Sequence, residues 1–135
     1  MGLDNSIEVK RTEYTNSIPA LQRFNEDWDT EHKYNFYVCY WRKSWNVRSI
    51  IFDAIKSTRN NEISEPLTID DIGNIIKGLK SFNSKNWQKN GGSIWDWDDE
   101  EWPYFKKIKQ DIKNLKILKK LMKKYDLEVY FIDSY

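Results

Sequence analysis

Residues that build disulfides and zinc sites are nearly missing from this chain: Cys39 is its one cysteine and His32 its one histidine. A disulfide framework and a His- or Cys-rich zinc centre within one chain are therefore excluded. No apolar run is long enough to span a bilayer, and the opening MGLDNSIEVK lacks the apolar core of a signal peptide. A reducing, cytoplasmic setting is the expectation. Charge of one sign is also lacking, since 22 Lys and Arg stand against 21 Asp and Glu for a formal net charge of +1. No global field draws the protein to nucleic acid or to an anionic membrane, so neither is expected as a partner unless a local patch meets it. Gly-rich phosphate loops, paired Asp motifs and metal-ligand spacings are absent too, and no cofactor or metal is expected.

What the chain has in quantity is aromatic surface. Seven Trp, eight Tyr and six Phe in 135 residues let a sequence of 39% hydrophobic content still bury a core. The length suits a single domain over residues 1–135 and is too short for two ordinary cores. The densest mix of aromatic and basic residues is Phe36 to Lys56, FYVCYWRKSWNVRSIIFDAIK. Trp41, Trp45, Phe52 and Ile55 recur there at helical spacing, with Val47, Ile51 and Ala54 widening the stripe, so one central helix is expected over about Tyr37–Lys56. Such a helix also carries Arg42, Lys43, Asn46 and Arg48, whose polar heads must reach water, carboxylates or a bound anion.

Around that segment, Ile7 and Val9 alternate with Glu8 and Lys10 as a short half-buried strand, and Leu127, Val129 and Phe131 alternate in the same way near the C-terminus. Tyr14 to Lys33 reads as a polar loop with one helical turn after Pro19, and STRNNEISEP as a polar close to the central helix. Thr68 with Asp71 three residues later caps a second helix, whose Ile72, Ile75, Ile76, Leu79 and Phe82 form one apolar face. Gly73 and Gly78 lower its helicity, by about 1 kcal/mol each relative to Ala, and suggest close packing. A third helix runs from Pro103 to about Tyr125, with acids at its start and lysines at its end, as the helix dipole favours. The expected fold class is α+β: three main helices with a small sheet that pairs the N- and C-terminal strands.

Three segments in order carry a resemblance: MGLD and a short strand (Met1 to Arg11), YWRK (Tyr40 to Lys43), and a long helix with Asp111, Ile112 and Leu115 followed by the closing YFIDSY. Together they resemble a family of small uncharacterised proteins of phages and prophages in Gram-positive bacteria. The resemblance covers nearly the whole chain and implies a phage or prophage setting in the cytoplasm of an infected or lysogenic host, with no established activity. It departs after YWRK, where Ser44 to Arg48 replaces the family's ANAIH, so Arg48 stands where that pattern has His. A mechanism that needs a His at this place is argued against.

Tyr40, Trp41, Arg42 and Lys43, with Arg48, Asp133 and Tyr135, form the candidate ligand site: Arg offers a planar fork to a phosphate or carboxylate and Trp a face for a base. The alternative is that Arg42 and Lys43 pair with acids of the loop NEDWDTE or with Asp133, and that Arg48 is likewise closed by carboxylates. Trp95, Trp97 and Trp102 in the acidic loop either plug the core or face a protein partner. Asp96, Asp98, Asp99, Glu100 and Glu101 read as a solvated helix start, since they lack the pivot glycine of a calcium loop. Lys109, Lys113, Lys116, Lys120 and Lys123 read as a solvated face, with phosphate tracking as the alternative. Cys39 and His32, seven residues apart across the expected helix start, do not read as a nucleophile and base, and Cys39 is expected to pack as a small apolar residue. The function expected is a phage- or prophage-type accessory protein, a binding module without chemistry of its own acting on a host or phage macromolecule, antagonism of host defence being one role in that class. The alternative is a small-anion or nucleotide-binding protein, a sensor, sponge or enzyme, that uses the Tyr40–Lys43 cluster.

Overall fold

A computed structural model describes residues 4–24, 35–42, 45–56, 63–81 and 104–134. Its frame is an antiparallel sheet of β1 (Asp4–Val9), β2 (Phe36–Arg42), β3 (Ile63–Pro66) and β4 (Val129–Ser134), in the order β2-β1-β4-β3. The two terminal strands pair as expected, with Ile7 opposite Phe131 and Val9 opposite Val129. Period-two alternation places one face of the sheet in the core. Across it lie two apolar rows, Phe36–Val9–Val129 and Cys39–Ile7–Phe131, and then a row of a different kind, Trp41–Asn5–Asp133.

The expected central helix over Phe36–Lys56 is corrected by β2: the segment is a strand followed by a shorter helix, α2 (Trp45–Ile55), counted here after the one-turn α1 (Glu13–Asn16). FYVCYW is a run of aromatic and β-branched residues that fit a pleated surface better than a helix. A bulge hides its alternation. The register jumps from Ile7 opposite Cys39 to Glu8 opposite Tyr37, so Val38 is the extra residue, and both Val38 and Cys39 are buried. Two residues instead of one separate the inward Phe36 and Cys39, and the stretch reads as apolar throughout. β3 lies within the segment expected only as a polar close, and pairs with the outer edge of β4.

The helices follow their sequence signals more closely. Thr12 and Thr15 close a capping box on α1, and Pro19–Phe24 forms a 3-10 helix where one turn was expected. α3 (Ile69–Ser81) begins with the reciprocal bonds of Thr68 and Asp71, 3.1 Å and 2.9 Å, and buries Ile72, Ile75, Ile76 and Leu79. Phe82 lies outside the described residues. Gly78 meets α2 closely enough that a Cβ built there would stand 2.6 Å from Ile50 Cγ2. α4 (Tyr104–Lys124) buries Ile108, Leu115, Leu118 and Leu121 against the same core. Fully burying side chains such as Ile7, Ile51, Leu79 and Phe131 contributes about 1.5–3 kcal/mol each. No helix among the described residues is long and apolar enough to cross a membrane.

Candidate functional site

The three segments that carry the resemblance meet on the backbone of the sheet. Asp4 stands opposite Arg42 on one side and Ser134 on the other, and Asn5 lies between Trp41 and Asp133. Asp133 is fully buried, and α2 brings Arg48 onto it: Nε donates to Oδ1 at 2.9 Å and to Oδ2 at 3.1 Å, while Nη2 donates to Oδ2 at 2.9 Å. Asn5 Nδ2 donates to Oδ1 as well, and its own Oδ1 is buried and finds no partner among the described residues. One helical turn after Arg48, Phe52 lies under the guanidinium at 4.1 Å and packs edge-on to Phe131 at 5.8 Å. The fork that the sequence offers to an external anion is thus engaged by an internal carboxylate, in a geometry that matches a bidentate phosphate or carboxylate contact.

Of the remaining candidates, the two whose side chains are described, Tyr40 and Trp41, do not join this pair. Tyr40 lies opposite Ser6, on the other face of the sheet from Asp133, and is 44% exposed. Trp41 faces the core, its Nε1 donating to Asp111 Oδ2 at 2.8 Å. Arg42 ends β2. Lys43, Tyr135, Trp95, Trp97 and Trp102 lie outside the described residues, as does His32. Among the described residues no group of three or more His, Cys, Asp or Glu can hold a metal.

A second polar centre, which the sequence did not single out, is built where α4 runs along the outer edge of β2. Asp111 is buried on the apolar stripe of α4, three residues after Ile108 and four before Leu115, and it accepts from Lys107 Nζ at 3.1 Å as well as from Trp41. Burial pushes its carboxyl above the ordinary value of 3.8, against the lowering effect of Lys107 and Trp41. Burial also raises the Cys39 thiol well above its ordinary range, and the neighbouring Asp111 carboxylate adds to the rise. Cys39 is accordingly a packed thiol rather than a nucleophile.

The same helix covers the open edge of the sheet with side chains. Lys107 Nζ donates to the carbonyl of Tyr40 at 2.6 Å and Asn114 Nδ2 to that of Val38 at 3.3 Å, so two edge carbonyls are satisfied without another strand. Between strand and helix opens a cleft of about 710 Å³, lined by Tyr37 to Tyr40 on one side and by Lys107, Gln110, Asp111 and Asn114 on the other. Tyr37 and Tyr40 stand edge to face, 6.5 Å apart. The cleft combines aromatic walls with amide and ammonium donors. It is shaped to take a ligand or partner group with apolar bulk and accepting oxygens.

No family model, no curated protein and no solved structure matches the chain.

Proposed function

We propose that the protein is a phage- or prophage-type accessory binding module, working in the cytoplasm of an infected or lysogenic host, that captures a host or phage protein and performs no chemistry of its own. The observation that carries this is the pair of tyrosines over the cleft at the edge of the sheet. Tyrosine is enriched at protein interfaces because it presents a large rigid surface and one polar tip at low entropic cost. Gln110, Asn114 and Lys107 supply donors on the facing wall. Antagonism of a host defence protein is one role that such capture would serve. Arg48 supports the same preference: with its fork on Asp133, a small-anion site at Tyr40–Lys43 loses its deepest cation.

The test is affinity capture from host lysate with matched baits. Wild-type protein is expected to recover one protein reproducibly, and Tyr40→Ala and Gln110→Ala to lose it, while Tyr14→Ala, at a similarly exposed tyrosine on α1, keeps it. Equal recovery by all four baits would count against the cleft as the binding surface.

A further inference from the structure

A second surface is built from charge. Across Tyr104–Lys124 the sequence carries nine lysines and one acid, Asp111, in a chain whose formal net charge is only +1. Positive charge is therefore segregated onto α4. The fold then sets α3 beside it, and Lys77 and Lys80 of α3 join Lys116, Lys119, Lys120 and Lys123 of α4 along one groove of about 690 Å³. Asp70 is the one carboxylate among the described residues that line it. Gly73 keeps the floor low, since a Cβ there would stand 3.2 Å from the Lys119 ammonium. Among the described residues none of the six lysines has a carboxylate partner in an ion pair. Contact and repulsion from Lys116 pull the pKa of Lys80 below the ordinary lysine value.

Six like charges gathered around a single carboxylate mark a site that gains by meeting a polyanion. Three features of the groove decide which kind. Lysine is depleted at the centre of protein interfaces, where Arg and aromatic anchors dominate, and the described residues that line this groove include neither. Single-stranded nucleic acid is held by aromatic platforms on which bases stack, and among the described lining residues there are none. What six lysine ammoniums do provide is a row of point charges suited to phosphates, the contacts that position a protein on a duplex without reading sequence. On α4 the lysines that line the groove run from Lys116 to Lys123, about 10 Å at 1.5 Å per residue. At 3.4 Å of duplex axis per phosphate of one strand, that spans about three phosphates.

We propose that the groove between α3 and α4 binds the phosphodiester backbone of a nucleic acid duplex, independently of the cleft at β2. Its contacts are electrostatic and carry no sequence preference.

The experiment is fluorescence anisotropy of a labelled mixed-sequence DNA duplex with the full chain, titrated at several salt concentrations. Binding is expected at low salt and should weaken linearly in log Kd against log salt. Lys80→Gln/Lys116→Gln/Lys120→Gln should raise Kd about tenfold or more and reduce the steepness of the salt slope by about 2.7, or 0.9 for each phosphate no longer neutralised. A control with the same loss of charge elsewhere, Lys10→Gln/Arg23→Gln/Lys56→Gln, should change both far less. Equal effects from the two triple variants would reduce the binding to net charge and overturn the proposal. So would the absence of duplex binding at low salt, or binding to anionic phosphatidylglycerol vesicles without binding to the duplex. Each of these outcomes leaves the capture result for Tyr40 unaffected.

Discussion

Arg48 on α2 grips both carboxylate oxygens of Asp133 on β4, and the pair closes the polar end of an otherwise apolar sheet face. Removing one partner of a buried pair strands the other charge away from water, which typically costs about 3–5 kcal/mol. Arg48→Ala should lower stability by that order in urea unfolding. Arg48→Met/Asp133→Leu, which removes both charges and keeps the volume, should recover most of the loss. A cost for Arg48→Ala of only about 1 kcal/mol, typical of an exposed pair, would show that the pair does not hold the fold.

Asp111 makes stability depend on pH with a definite sign. Its carboxyl is raised above 3.8, chiefly by burial, so in the window above the ordinary value the folded chain holds a proton that the unfolded chain has lost. Its contribution is complete below the ordinary carboxylate pKa and is lost as pH rises through the raised value. Wild-type stability relative to Asp111→Asn should therefore fall as pH rises above the ordinary carboxylate value of 3.8 and level off beyond the raised one. Parallel stability profiles for the two proteins in a pH series would contradict this.

Cys39 offers a kinetic check on the same corner of the core. Its thiol is buried and its pKa raised, so little thiolate exists at neutral pH and access is closed. Native protein should react with a thiol-specific aromatic disulfide only as fast as it opens, and urea-unfolded protein at the rate of a free cysteine. Immediate labelling of the native protein would mean that α4 does not cover β2.

Gly78 lets α2 and α3 approach. An alanine normally gains about 1 kcal/mol over glycine inside a helix. Here the added methyl meets Ile50 at a distance that atoms do not tolerate, so Gly78→Ala should destabilise instead. In an Ile50→Ala background the same change should stabilise by about 1 kcal/mol. Additive effects in this double-mutant cycle would rule out the clash.

The terminal strands and the later helices were legible because their patterns are clean: alternation in Ile7 to Lys10 and Leu127 to Phe131, the Thr68–Asp71 cap, and three-four spacing along α3. β2 was not, because the bulge at Val38 breaks the alternation and the next apolar residues happen to continue at helical spacing. Its β-forming composition was the signal to weigh. Closure of Arg48 by a carboxylate was open as one of two alternatives, but that the carboxylate is Asp133 was not legible, since joining residues on α2 and β4 needs the fold and not the spacing. Asp111 left a trace that went unused. It is the lone acid on a lysine-rich helix, placed on the apolar stripe with Lys107 one turn before it, a pattern that marks a buried, paired carboxylate. The lysine groove was half visible, for the stripe on α4 is in the sequence but the two lysines of α3 beside it are a product of packing.

Photo-crosslinking from the position of Tyr40 tests most directly whether the edge cleft is a binding surface. A photoreactive phenylalanine analogue replaces Tyr40 in one protein and, as a control, Ser49 on the exposed side of α2 in another, and each is irradiated in host lysate. The expected result is one protein adduct from the Tyr40 position that is absent from the Ser49 position, suppressed by excess unmodified wild-type protein and not by Gln110→Ala protein. The same adducts from both positions, or equal suppression by wild-type and Gln110→Ala protein, would contradict capture at the cleft between β2 and α4.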